Sequence, residues 1–186
     1  QVKVTRWDFS SGAETGWHTH EMDYIVVPLT EGILKAELPD GSTVENKLTA
    51  DAIVSEVSNI GIGILTADCA PILFYDPQKK IIGCAHSGWK GALNGIIKNT
   101  VKKFNELNSN NNDLIAVVGP CIDKRNYKVK EDFFNKFISQ ENNNKIFFEK
   151  IDNEEFLFDL RAFINNKILE SGIKNIENLE MDTFSQ

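Results

Sequence analysis

This chain of 186 residues has only three cysteines, three histidines and two methionines. None of its apolar runs approaches the roughly 18–20 residues that a membrane span requires. Cys69, Cys84 and Cys121 are odd in number and lie within or beside apolar runs. That excludes a disulfide framework and points to reduced thiols in a cytoplasmic setting. Basic charge is scarce: 20 Lys and Arg against 27 Asp and Glu leave a net charge of −7 and a pI near 5.0. An electrostatic grip on nucleic acid is therefore not expected. The start, Gln1-Val2-Lys3-Val4-Thr5-Arg6-Trp7, lacks an initiator Met and the layout of a signal peptide, and we expect the chain to be a fragment. A hydrophobic content of 41% is enough for a core, as one ordinary domain or two very small ones.

Cys69 and His86 carry the strongest chemical signal. Each stands at the end of a short apolar run, Ile60–Leu65 and Lys80–Ala85, that reads as a buried strand. A thiol and an imidazole delivered from two strand ends are what a zinc or nucleophile site requires. The bland alternative is a core cysteine beside a hydrogen-bonded histidine. The phrases around the pair decide between them.

Composition changes near Asn46. Residues 1–46 hold three basic and eight acidic residues and one Asn, whereas 47–186 hold 17 basic, 19 acidic and 18 Asn. We read this as a seam between a segment at 1–46 and a domain at 47–186. The first segment is strand-like, with Val2–Phe9, Asp23–Leu29 and Ile33–Leu38 as β-rich runs and Pro39-Asp40-Gly41-Ser42 as a turn. His18-Thr19-His20 on a strand places both rings on one face. Together with Gly12 and Gly32, this pattern resembles the first motif of the cupin β-barrels, whose paired histidines bind a metal. The family's Glu falls on Ile25, and its second motif is absent.

The second segment alternates strands and helices, an α+β layered pattern. Ala52–Val57, Ile60–Leu65, Ile72–Tyr75, Ile81–Ala85 and Leu114–Val118 read as strands. A helix follows His86, with Ser87 as its N-cap and Leu93, Ile96, Ile97, Val101, Phe104 and Leu107 at helical spacing. Lys130–Phe137 reads as a helix, and Lys145–Phe148 and Phe156–Phe158 as strands. Asp159 caps a helix ending at Ser171-Gly172, and Ile176–Met181 is the last strand.

Five phrases stand in order: Leu48–Val54, Thr66-Ala67-Asp68-Cys69-Ala70-Pro71-Ile72-Leu73, Ala85-His86-Ser87-Gly88-Trp89-Lys90-Gly91, Gly95-Ile96 and Val118-Gly119-Pro120-Cys121-Ile122. Together they closely resemble the laccase-domain family, also called the multicopper polyphenol oxidase or purine nucleoside phosphorylase family, from about Leu48 to Thr183. The resemblance implies a layered α/β/β/α fold, truncated here at both ends and preceded by the cupin-like strands. It implies a zinc centre of Cys and two His, phosphorolysis of adenosine, inosine and methylthioadenosine, and adenosine deamination. Purine nucleoside and phosphate are then the partners, with no nucleic acid and no membrane. Cys69 takes the cysteine position and His86 that of the second histidine, as metal ligands and catalytic residues. The family's first histidine, in a Gln-Val-His phrase, would fall near Ile33, where no such phrase occurs.

Physical chemistry adds roles around this pair. Lys90 and the backbone N–H groups of Ser87–Gly91 form a candidate anion site, and Asp68 either contacts substrate or caps a turn. Cys84, two residues from His86, reads as a core thiol, and Cys121 as a loop former. Trp89 stacks on a purine or packs at the helix start. Asp51 is structural or part of the site. The competing readings are a cupin-type metal module on His18 and His20, and an inactive hybrid.

Overall fold

A computed structural model describes residues 51–185 together with the backbone of two strands, β1 (Gly32–Glu37) and β2 (Thr43–Leu48). These pair antiparallel, with Glu37 opposite Thr43. The readings at Val2–Phe9, His18, His20 and Asp23–Leu29 lie outside the described residues.

The central element is a five-stranded sheet of mixed direction. It contains β3 (Ala52–Ser55), β4 (Ala70–Asp76), β5 (Ile81–Ser87), β6 (Ile115–Val118) and β10 (Asn175–Asn178), in the order β10-β6-β4-β5-β3. The β6–β10 pair is parallel and the other pairs are antiparallel. Side chains alternate between faces along each strand. Ala70, Ile72, Phe74 and Asp76 of β4 all point into the core.

Helices cover that inner face. The sequence predicts one helix after His86, but the structure has two, α1 (Trp89–Leu93) and α2 (Ile96–Glu106). The break falls at Asn94-Gly95, where Gly95 has φ of 90°, a left-handed conformation that glycine adopts without penalty. Ser87 does not cap α1. Gly88 occupies that position without a side-chain bond, and the buried Ser87 hydroxyl has no hydrogen-bond partner among the described residues. The amphipathic pattern holds in α2, which buries Ile97, Thr100, Val101 and Phe104. The helix α4 (Leu160–Glu170) starts as expected: the Asp159 carboxylate accepts from the Ala162 N–H at 2.8 Å.

A second, three-stranded sheet has the order β7-β9-β8, from β7 (Lys128–Lys130), β8 (Phe148–Lys150) and β9 (Glu155–Phe158). It packs with α3 (Glu131–Gln140) around an aromatic cluster. Phe137 is at its centre, with ring centroids 4.8 Å from Phe158 and 5.0 Å from both Phe133 and Phe163. Offset and edge-on pairs of this kind add to the stabilisation from area burial.

Two further expectations are corrected. Ile60–Leu65 is not a strand, and Leu65 is exposed. Gly61 and Gly63 alternate with its isoleucines, so every second position has no side chain to pack, which weakens a strand. Most of Lys145–Phe148 is a 3₁₀ segment, Asn142–Phe147, rather than strand. The mixed α+β class stands as predicted.

Candidate functional site

The register of β4 and β5 brings the two leading residues together. Pro71 lies directly opposite His86. In an antiparallel pair, opposed residues share a face, and Cys69 is two residues before Pro71 on the same chain. Cys69 and His86 therefore emerge on the same side at the same end of the sheet. Asp51 joins them from the residue before β3, and its carbonyl accepts the His86 N–H at 2.7 Å.

These residues line one cavity of about 220 Å³, formed by Asp51, Cys69, His86, Gly88, Trp89, Lys90 and Gly91. Gly88 lies close against the thiol: a β-carbon there would stand 2.6 Å from the Cys69 sulfur, so that either the sulfur or the helix start would have to shift. Lys90 brings a cation to the rim. The N–H groups of Trp89, Lys90 and Gly91 precede the first intrahelical bond, from Ala92 N–H to the Gly88 carbonyl. Trp89 lines the cavity and also packs away from it, with its indole centroid 4.8 Å from Phe133.

Electrostatics keep the thiol protonated. Burial pushes the Cys69 pKa above its ordinary value, and the Asp68 and Asp51 charges push it the same way. The thiolate, which is both nucleophile and metal ligand, thus needs a cation to stabilise it. Tyr127, which sequence reasoning did not single out, belongs to this neighbourhood. Its phenol is pushed up to about 12 by burial, then by the charges of Cys69 and Asp68. No phrase in the sequence signals its role, because Tyr127 reaches Cys69 only through the fold.

Asp68 does not line the cavity. Its carboxylate accepts from the Thr183 hydroxyl at 2.8 Å, and its carbonyl accepts from the Ile122 N–H at 3.0 Å. The C-terminal strand end is thereby tied to the residue next to Cys69. Arg161 tightens the same region, donating to the carbonyls of Gly119 at 3.2 Å, Leu179 at 2.7 Å and Met181 at 3.1 Å. Cys84 and Cys121 are fully buried and outside the cavity. A larger depression, about 640 Å³, lies among Asn105, Ser109–Asn112, Gly172 and Lys174, away from this chemistry.

Among the described residues, no group of three or more His, Cys, Asp or Glu is placed to hold a metal ion. Cys69 and His86 are suitable donor types, but two are one short of the three protein ligands that a catalytic zinc takes. The described residues alone do not make the centre. Nor is any helix among them long and apolar enough to cross a membrane.

A family model described as multi-copper polyphenol oxidoreductase laccase matches residues 12–186, beginning inside the 1–46 segment. A purine nucleoside phosphorylase of Rickettsia conorii is 41% identical over 73% of this chain and 56% of its own length. A purine nucleoside phosphorylase of Haemophilus influenzae is 30% identical over 75% of this chain and 57% of its own. The chain thus spans a little over half the length of these relatives. Among solved structures, the Bacillus licheniformis hypothetical protein YfiH superposes with a TM-score of 0.67 at 29% identity, covering 72% of this chain and 51% of that one. A Neisseria meningitidis protein gives 0.67 at 28%, covering 72% and 54%.

Proposed function

The chain belongs to the multi-copper polyphenol oxidoreductase laccase family, and on that premise we propose that it acts on purine nucleosides as a phosphorylase. The supporting observation is the shared cavity of Cys69, His86 and Lys90 in a chain 41% identical to a purine nucleoside phosphorylase. Copper oxidase chemistry is a poor fit, because such enzymes use many imidazole ligands and the whole chain has three histidines.

In phosphorolysis the bond from C1′ of ribose to the purine nitrogen breaks, a phosphate oxygen bonds to C1′, and the departing purine takes a proton. Positive charge builds on the ribose ring as the bond stretches. Lys90 and the free N–H groups at Trp89–Gly91 suit a phosphate at the helix side of the cavity. His86, beside Cys69, is placed to give the leaving purine nitrogen its proton. Asp51, which lines the same cavity, is suited to offset the charge that develops on the sugar. Adenosine, inosine and methylthioadenosine fall within this reading, and adenosine deamination with them.

Zinc is the ion that a thiolate and an imidazole favour. It would supply a Lewis acid and an activated water once a third donor joined Cys69 and His86. The remaining imidazoles of the chain, His18 and His20, lie outside the described residues.

The test is release of free purine from inosine with and without phosphate. Phosphate-dependent release that is lost in His86→Ala supports the reading. No turnover of inosine, adenosine or methylthioadenosine, with zinc supplied, overturns it.

A further inference from the structure

Cys69 is not itself part of a strand. β4 begins at Ala70, and Cys69 stands in the bend before it, so sheet pairing alone does not place the sulfur. On one side Ala70 is fully buried and paired with Ser87. On the other side Asp68 governs the approach, because the Asp68 carbonyl and the Cys69 N–H belong to one planar peptide unit. Two hydrogen bonds hold Asp68. The Ile122 N–H donates to its carbonyl at 3.0 Å, which sets that plane, and the Thr183 hydroxyl donates to its carboxylate at 2.8 Å. The carboxylate is thus drawn to Thr183, and Asp68 stays out of a cavity that its neighbour lines.

The two donors belong to one assembly. The Cys121 N–H donates to the Met181 carbonyl at 3.3 Å, and the Thr183 N–H donates to the Cys121 carbonyl at 3.3 Å. The chain segments that carry Ile122 and Thr183 therefore run side by side, with Cys121 bridged in parallel to Asp182. Asp182 anchors them. Its carboxylate accepts from the Asp123 N–H at 3.0 Å, the Asn126 amide at 2.6 Å, the Phe184 N–H at 3.2 Å and the Ser185 hydroxyl. Such bonds hold its carboxyl well below the usual carboxylate range, those from Ser185 and Asp123 foremost. Bonds to an ionised carboxylate are also the stronger kind.

We propose that Thr183 is a positioning residue for Cys69: its hydroxyl, anchored through Asp182, holds the Asp68 carboxylate and with it the peptide unit that seats the thiol against Gly88. Asp68 then serves as the handle by which the sulfur is held, rather than as a substrate contact. The bond is exposed, so its loss removes local order without threatening the fold. A reacting group misplaced by about 1 Å can cost on the order of 100-fold in rate, so the seat matters to chemistry at the cavity. That consequence for turnover rests on the phosphorylase reading. The placement of the sulfur does not.

Alkylation of the native full chain by iodoacetamide reads the sulfur directly, since Cys84 and Cys121 are fully buried and Cys69 is not. Thr183→Val keeps the shape of the side chain and removes the hydroxyl. It should speed alkylation about threefold or more as the sulfur leaves its seat, and Thr183→Ser should keep the wild-type rate. Because Thr183 acts through Asp68, Thr183→Val should add nothing in an Asp68→Ala background. Where the wild type releases purine, kcat should fall about tenfold in Thr183→Val with KM little changed, and return in Thr183→Ser. An alkylation rate not raised in Thr183→Val overturns the proposal and leaves the phosphorylase reading standing. So does an undiminished kcat, or an effect of Thr183→Val that persists in full without the Asp68 carboxylate. A wild type that releases no purine overturns the phosphorylase reading instead, and alkylation alone then decides the part of Thr183.

Discussion

Gly88 lies directly against Cys69, and a β-carbon at position 88 would stand 2.6 Å from the Cys69 sulfur. The sulfur thus rests on bare backbone at the start of α1, between the His86 strand and the Lys90 rim. The exact place of the thiol depends on a hydrogen atom where other residues carry carbon.

Gly88→Ala should therefore displace the thiol or the helix start. We expect a loss of about 1–3 kcal/mol, the usual range for overpacking a tight site, measured by urea denaturation. Purine release should fall with it. Wild-type stability together with wild-type turnover would show that the contact is not restrictive.

Cys69 is the one cysteine of the three that is not fully buried. Its raised pKa means that a thiol reagent should modify the native protein slowly near neutral pH and faster as pH rises above the ordinary thiol range. Asp51→Asn removes a charge that raises this pKa and should shift the rate profile to lower pH. The His86 N–H bond to the Asp51 carbonyl uses backbone only and should survive. An unshifted profile would mean that the Asp51 carboxylate does not reach the sulfur.

Cys121 links pH to stability. Its pKa is pushed up to about 11 by burial, from an ordinary value of 9.0. Below pH 9 the thiol is protonated in both states and its contribution is fully present. Between pH 9 and about 11 the unfolded chain ionises while the folded one does not, so stability falls through that window. The loss should be about 1–3 kcal/mol. Comparing Cys121→Ala with wild type by thermal unfolding isolates it: the variant should lose less stability over this range, and an equal slope would contradict the assignment.

Arg161 holds three backbone carbonyls, at Gly119, Leu179 and Met181. Arg161→Ala leaves them without this donor and should cost about 1.5–3 kcal/mol, the scale of hydrogen bonds to a charged group. The Thr183–Asp68 bond next to Cys69 depends on the same strand end. Purine release should fall by more than in Lys98→Ala, an exposed change on α2. Equal effects in the two variants would confine Arg161 to a general structural part.

The parts of this structure that were legible in the sequence share one cause. The amphipathic spacing of α2, the Asp159 cap and the strands read at Ile81–Ala85 and Leu114–Val118 are set by residues close to one another in the chain. The misreadings came where local pattern was ambiguous. Ile60–Leu65 has isoleucine at strand spacing, but glycine at the alternate positions leaves nothing for a neighbouring strand to pack against. The helix after His86 reads as continuous until the left-handed Gly95 interrupts it.

By itself the sequence determined the chemistry available: three thiols, three imidazoles, a lysine four residues after His86 and a surplus of acidic charge. Their presence needs no fold, since it follows from composition and from phrases a few residues long. The tertiary structure alone decided who meets whom. Pairing of Pro71 with His86 aligned two strand ends, closeness of Asp51 and Tyr127 to Cys69 came from segments far apart in sequence, and pairing of β4 with both β5 and β6 put it at the centre of the sheet. The reason is physical: strand register is a long-range choice, made by burial of a whole face, and no short window of residues carries it.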